Sequence, residues 1–511
     1  MLPTKFNSFT LKKYGFAIVL LVGISMLFLW VTAPYNLGVS PDSTSFIQGA
    51  ENVALGNGLT DYYGNFINHW PPLYTLLLGC ITKILGGTPI QVGRYLNAFL
   101  LFSSGLIFIK ILLQLNLKSK IINLAPLLLL VSLPFAVFEY FWTETLFIPL
   151  LLLAFYYIMK WQNEEKTKFI FFCGIYSGAF LITRYAGAGF IGGIILFIIY
   201  SNRTSIKKTA ILLFTYLIPI LIIFAAWFLY SNSHSGQGVD RNIVFHLVSF
   251  SKLLESVKTI ISWFTGPYFQ YKVIGLPIFL INCILIYRVL RSNFITFKTY
   301  LKKNKQTITV CLFFIFSYYG FLLMSISFFD ALTPLDNRLL APLYPFVLIL
   351  ICFLLNFIET NSYKHKKLIT GIFCFLIPFA SFPIWIHHYN NGEGVNSKTF
   401  KNSQIIASYK VAVDKKVYTN ADDIITFHLH KKEHIYLIPK VVNPFDNTPN
   451  PEYQNEMDIL KNEIAHKKAV IVYFKTITYR DFLISEEEII TQFSEFPIQE
   501  YSDGFIIGWQ K

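Results

Sequence analysis

The stretch PPLYTLLLGCITKILGG, residues 71–87, decides the topology of this 511-residue chain. It is apolar enough to be taken for a membrane crossing, and if it crosses, every later loop changes sides. Eleven other apolar stretches read as spans, at about 15–33, 91–115, 121–138, 145–159, 169–183, 186–200, 209–230, 273–290, 307–326, 339–358 and 368–387. Their connectors alternate in character. One set is basic: Lys5/Lys12/Lys13, Lys118/Lys120, Lys160/Lys166/Lys168, Arg203/Lys207/Lys208, the run from Arg288 to Lys305, and Lys364/Lys366/Lys367. The other set holds the loop at 40–74, Glu139–Glu144, the turn at Arg184, the 231–272 loop, Ser327–Arg338 and the C-terminal tail. Lysine and arginine collect in cytoplasmic loops. All basic connectors fall on one side only if residues 71–87 do not cross. That stretch also carries Lys83, and Pro71 and Pro72 suit a first helical turn, where a missing N–H costs little. It therefore reads as a helix lying in or dipping into the outer interface.

Composition agrees with a polytopic membrane protein. The chain is 54% hydrophobic and 14% charged, against about 25% charged in soluble domains. Lys plus Arg number 43 and Asp plus Glu 29, a net charge of +14. The topology accounts for that excess, and nucleic acid is not a predicted partner. The six cysteines lie inside apolar segments with no CxxC pair, so packing is their reading, not a disulfide framework or a zinc knuckle. The N-terminal run at 15–33 follows Lys12 and Lys13 without a clean small-residue cleavage site, which favours an uncleaved first span over a signal peptide.

Beyond about residue 390 the texture changes. KKVYTN, HIYLIPKVV, KAVIVYF and GFIIGW read as short strands. PEYQNEMDILKNEIAHK sets Met457, Leu460 and Ile464 at helical spacing. The expected organisation is a transmembrane domain at 1–390 and a small extracytoplasmic α/β domain at 391–511. No GxxxxGK[ST] loop, GxGxxG turn or DxD pair in a soluble domain is present, so a nucleotide or nucleotide-sugar site is not indicated. Chemistry on the outer face then needs an activated donor from the bilayer itself, for which a lipid phosphate is suited.

The first outer loop, SPDSTSFIQGAENVALGNGLTDYYGNFINHWPPLY (40–74), is polar between two apolar runs. Phe46, Ile47, Ala50, Val53 and Ala54 fall on one helical face, and Gln48, Glu51 and Asn52 on the other, before Gly56 and Gly58 end the helix. Asp42 reads as the N-cap of that helix; a capping carboxylate held near the lipid surface can also serve chemistry, and the two roles stand together.

An Asp just after the first span, an interfacial helix, and then HWPPLY opening a second one resemble the GT-C membrane glycosyltransferases. The branch most similar contains the dolichyl-phosphate-mannose–protein mannosyltransferases and the aminoarabinose transferase of lipid A. TETLFIPLLLLAFYY (143–157), LITRYAGAGF (181–190) and DNRLLAPLYPF (336–346) resemble segments of that branch, over roughly residues 10–390. The fold implied is an α-helical polytopic GT-C-like protein of about 11 transmembrane helices, with interfacial helices in the first outer loop. The activity implied is transfer of a sugar from a polyprenyl-phosphate donor to an acceptor, with inversion and with Asp42 as general base. Arg338, Arg184 and Arg94 are the candidates for the donor phosphate; snorkelling, or pairing with Glu139, Glu144, Asp330 or Asp336, is the plain alternative. Glu51, Tyr62, Tyr63, Trp70, Glu139 and Glu144 are expected around the substrate or acceptor.

In the aminoarabinose branch a carboxylate before the proline of the second helix helps to hold a metal. The matching position here is His69, with His234 or His246 as a distant partner, so the resemblance leaves a divalent metal ion open as cofactor. Trp70 stands where that branch has a lysine. His428, His430 and His434 in FHLHKKEH read as part of a strand, with a surface or a metal role. The rival functions are a non-catalytic flippase or export subunit for lipid-linked sugars, a secondary transporter and an inactive scaffold. A single N-x-S/T sequon at Asn202, on the cytoplasmic side, favours a bacterial plasma membrane.

Overall fold

The computed structural model describes residues 8–62, 64–235, 245–329, 333–361, 365–409, 415–429, 434–443, 448–477 and 480–509. The helical part runs α1 (Ser8–Val31), α2 (Pro41–Leu55), α3 (Leu73–Leu85), α4 (Pro89–Gln114), α5 (Ser119–Leu130), α6 (Glu144–Glu164), α7 (Thr167–Leu181), α8 (Ala188–Ser201), α9 (Ile206–Ser235) and α10 (Phe250–Thr265). It continues through α11 (Phe269–Ser292), α12 (Phe294–Lys303), α13 (Lys305–Phe328), the short α14 (Asn337–Leu340), α15 (Tyr344–Thr360) and α16 (Lys366–Asn391). All eleven predicted apolar stretches are helical. Among the described residues eight helices are long and apolar enough to cross a membrane, α14 and α15 counting together; α5 and the 3₁₀ turn Leu133–Glu139 form an apolar pair bent by 56°, a broken span or a re-entrant loop. The protein is a multi-pass membrane protein.

The stretch at 71–87 forms α3, and it is one-sided. Its 13 residues reach about 20 Å, short of the ~30 Å hydrocarbon core. Tyr74, Thr75, Leu78, Gly79 and Thr82 are buried, while Ile84 and Leu85 are exposed. The buried face lies on α2. Contact is so close at Gly79 that a Cβ there would meet the Ala50 carbonyl oxygen at 2.7 Å, so only glycine fits.

Helix α2 buries Phe46, Ile47 and Ala50 and ends at Gly56 in the left-handed conformation, as its pattern indicates. Two details differ. Ser40, not Asp42, is the N-cap: its side chain accepts from the Ser43 amide, and Pro41 occupies the first helical position. The second difference is on the polar face, where Gln48 and Asn52 are also buried. The returning loop covers Asn52, whose side-chain amide donates to the carbonyls of Thr60 (2.9 Å) and Asp61 (2.8 Å).

After α16 come α17 (Lys398–Lys401), α18 (Gln404–Tyr409), β1 (Lys416–Thr419), α19 (Asp422–Leu429), β2 (Ile435–Leu437), α20 (Tyr453–Ala465), β3 (Ala469–Phe474), α21 (Glu486–Gln492), β4 (Ile498–Tyr501) and β5 (Gly504–Ile507). The sheet order is β2-β1-β3-β5-β4, parallel across β2, β1 and β3 and antiparallel across β3, β5 and β4. Strand β3 is buried on both faces. Val470, Val472 and Phe474 join the core of the helical bundle, while Ala469, Ile471 and Tyr473 pack with Met457, Leu460 and Ile464 of α20. The period-2 alternation of side chains thus gives one face of the strand to the bundle's core and the other to a second core of the C-terminal part. The FHLH stretch departs from expectation: His428 lies on helix α19, and its Nε2 donates to the Val395 carbonyl at 2.8 Å. His430 lies outside the described residues.

Candidate active site

Four charged side chains from four distant parts of the chain meet at one end of the bundle. Freed from capping by Ser40, the Asp42 carboxylate in the first turn of α2 accepts from Arg338 at 2.6 Å. Arg338 also donates through Nε to Glu144 at 2.7 Å. Glu144 in turn pairs with Arg184. Exposure differs along the series Asp42–Arg338–Glu144–Arg184: Glu144 is fully enclosed, whereas Asp42 remains 25% exposed.

Local structure explains each position. Glu144 opens α6, where a helix N-terminus favours a carboxylate. Arg338 sits in α14, which Asp336 caps by accepting from the Leu339 amide at 3.1 Å. Arg184 has extended backbone in the turn between α7 and the 3₁₀ turn Tyr185–Gly187. The Trp142 ring lies 4.7 Å from the Arg338 guanidinium and stacks on Tyr140. Its indole N–H donates to Ser40 Oγ at 2.8 Å, so one side chain braces both the arginine and the cap before Asp42.

These groups open onto a cavity of about 990 Å³. Asp42, Thr143, Arg184, Asp336, Arg338 and Trp70 line its polar end. Leu181, Phe224, Phe321, Leu322, Ile326 and Phe329 line an apolar wall, and Asp481 and Phe482 from the C-terminal part also line it. Burial pushes the Asp336 carboxyl above the usual carboxylate range. The arrangement offers a carboxylate positioned by a guanidinium, two guanidiniums able to meet an anion, and an adjoining greasy chamber.

Asp42, Arg338, Arg184, Glu144 and Trp70 are thus brought together, and other predicted site residues are not. Arg94 donates to the Leu29 carbonyl (2.5 Å) and to Thr32 Oγ1 (3.1 Å), so it satisfies the C-terminal end of α1 instead of facing the cavity. Glu51 accepts from the Tyr62 hydroxyl at 2.6 Å, and neither lines the cavity; burial and that carboxylate push the phenol well above its ordinary range. Tyr63 lies outside the described residues. Glu139 is buried behind the site, beside His388.

His69 packs edge-on to Trp70 at 4.6 Å. Its proposed partner His234 instead stacks on Phe66, with Nδ1 2.9 Å from the Tyr230 carbonyl. The other proposed partner, His246, has its backbone amide on Ser327. Among the described residues no group of three His, Cys, Asp or Glu side chains is placed to hold a metal ion.

Sequence reading missed Trp142, Asp336, Asp481 and Phe482 as parts of the site. Asp336 was visible in the DNRLLAPLYPF stretch. Asp481 and Phe482 carry no local signal, because only the folding of the sheet over the bundle brings them there.

No protein-family profile matches the chain, and no curated protein matches it. Solved structures do. ArnT from Cupriavidus metallidurans bound to undecaprenyl phosphate aligns with TM-score 0.52 at 10% identity, over 96% of this chain and 97% of that one. The Archaeoglobus fulgidus oligosaccharyltransferase in complex with Zn and sulfate gives 0.53 at 12% identity, over 95% and 72%. The same organism's AglB with an inhibitory peptide and a dolichol-phosphate gives 0.52 at 12% identity, over 97% and 74%. The chain has the GT-C fold. The alignment to ArnT spans nearly the whole of both chains.

Proposed function

We propose that this protein is an integral-membrane glycosyltransferase that moves a sugar from a polyprenyl-phosphate carrier to an acceptor at the extracytoplasmic face of a bacterial plasma membrane. The carrying observation is the Asp42–Arg338–Glu144–Arg184 series at the mouth of a cavity that is polar at one end and apolar along its wall. The basic connectors support a cytoplasmic N-terminus. They also support an outward-facing C-terminal domain from about residue 391.

In this reading the polyprenyl chain lies along the Leu181, Phe224 and Phe321 wall, with its phosphate against Arg338 and Arg184. The acceptor O–H or N–H gives its proton to Asp42 as the acceptor atom bonds to the anomeric carbon. The bond from that carbon to the phosphate oxygen breaks with its electron pair going to the phosphate, and the carbon inverts. Guanidiniums suit the leaving phosphate because their planar forks bind it in two-point fashion, and fixed cations act most strongly where charge develops. General-base help of this kind is worth ~10²–10⁴-fold.

The test is release of polyprenyl phosphate from a panel of polyprenyl-phosphate sugars, in nanodiscs, with candidate acceptors present. Wild type releases it from one sugar, and Asp42→Asn slows release by ~10²–10⁴-fold while still binding the carrier. Tight binding with no release by either form would instead identify a handler of lipid-linked sugars.

A further inference from the structure

The segment that delivers Asp42 is held unusually completely. Residues 36–40 thread between two other stretches. On one side Gly38 N donates to Glu139 O (2.7 Å) and Phe141 N to Gly38 O (3.1 Å); on the other Val39 N donates to Glu393 O (3.3 Å) and Val395 N to Val39 O (2.8 Å). Asn396 Nδ2 donates to the carbonyls of Tyr35 (2.5 Å) and Leu37 (3.3 Å), and His388 Nε2 to that of Asn36 (2.8 Å). Five successive carbonyls, Tyr35 to Val39, are therefore all bound, the last of them three residues before Asp42.

Beneath this crossing lies a buried charge pair that the reaction as described does not use. Glu139 and His388 are 2% and 0% exposed, with Glu139 Oε2 3.1 Å from His388 Nδ1. With Nε2 committed as a donor to a carbonyl, that contact is attractive only when a proton lies between ring and carboxylate. Neither Glu139 oxygen has a hydrogen bond of good geometry, so the carboxylate depends on the ring. A buried carboxylate with a single partner is costly wherever no function or ordering requires it. Here its backbone carbonyl and its partner's other nitrogen both grip the 36–38 segment.

We propose that Glu139 and His388 are positioning residues that set the Asp42 carboxylate against Arg338, the pair locking the crossing through which α2 is aimed. This rests on the transferase reading only for its kinetic consequence. Neighbouring titratable groups face the other edge of the crossing: the Tyr140 hydroxyl donates to Glu393 Oε2 at 2.9 Å, and His387 Nε2 lies 3.9 Å from Glu393 Oε1. Gly394 offers an independent handle. It has φ +61°, and a Cβ on it would collide with the Val39 carbonyl oxygen, so Gly394→Ala shifts the crossing without touching the buried pair.

The experiment uses the full chain in nanodiscs, as wild type, His388→Gln and Gly394→Ala. Hydrogen exchange is read over residues 36–40 and, as a control for folding, over α13. Both variants are expected to raise exchange at 36–40 at least tenfold with α13 unchanged. On the sugar donor that wild type uses, kcat falls tenfold or more, since misplacement by about 1 Å can cost ~10²-fold, with the donor KM within twofold. In an Asp42→Asn background His388→Gln lowers the residual rate no further, because it acts through Asp42. Unchanged exchange at 36–40 in both variants overturns the proposal. So does raised exchange with kcat unaltered, or an additive loss in the Asp42→Asn background. If one variant loses α13 protection, the other decides. If wild type transfers no sugar, the transferase reading falls, and exchange at 36–40 alone decides the positioning.

Discussion

Glu144→Gln is the substitution that probes the ion-pair series most directly. The glutamate is wholly enclosed, and its carboxylate faces two guanidiniums that are 13% and 18% exposed. Glutamine keeps the shape and one acceptor oxygen for Arg338 but removes the charge. Arg338 then retains Asp42 at 2.6 Å, while the pair to Arg184 is lost. Leaving a buried charge without its partner costs ~3–5 kcal/mol. Thermal unfolding in detergent should show a drop of several degrees in the melting temperature.

The same change leaves Arg184 able to meet an anion without competition from Glu144. A ligand that binds the folded state alone stabilises it by about 2.7 kcal/mol at a hundred times its Kd. Undecaprenyl phosphate should therefore raise the melting temperature of Glu144→Gln by more than that of wild type, and neutral undecaprenol should raise neither. An unshifted melting temperature would refute the view that Glu144 carries two buried cations. Equal stabilisation of both forms by the lipid phosphate would refute Arg184 as a phosphate contact.

The other expectations follow from the edges of the cavity. Burial holds the Asp336 carboxyl above its unfolded range, so the folded state keeps its proton longer and stability falls as pH rises from the usual carboxylate value through the raised one. Asp336→Asn keeps an oxygen to cap Leu339 but has no charge to bury. Its melting temperature should gain on wild type across that window and not below it; a gap that stays constant with pH from about 4 to 8 refutes this. Phe482→Ala should widen the cavity that this ring lines, so that hydrolysis of the donor by water rises several-fold while transfer to the acceptor falls, as expected where apolar lining excludes water. Equal losses in hydrolysis and transfer would place Phe482 outside the reacting space.

What the sequence by itself determined is whatever depends on local period and on hydropathy summed over a window. Each of the eleven apolar stretches became helix, because burying unpaired backbone polar groups in lipid leaves helix as the available form. The charge pattern argued against a crossing at 71–87, and α3 is short and one-faced. Met457, Leu460 and Ile464 are the buried face of α20, since a 3.6-residue period survives any tertiary arrangement.

The tertiary structure decided which charges meet. Arg338 could pair with several carboxylates, and no spacing says that Asp42, 296 residues away, and Glu144 would be chosen. Arg94 was also a phosphate candidate on paper until the Leu29 carbonyl and the Thr32 hydroxyl at the end of α1 claimed it. Asp42 read as an N-cap because Ser40 and Asp42 are both good caps; Pro41 at the first helical position settles the start two residues earlier. His428 fell on a helix because α19 packs between the sheet and α2, a contact between segments nearly 400 residues apart. Helical and strand periods are written within a few turns of chain. Ion pairs, caps under competition and the closure of one domain over another depend on which surfaces arrive beside each other, and that is settled only in three dimensions.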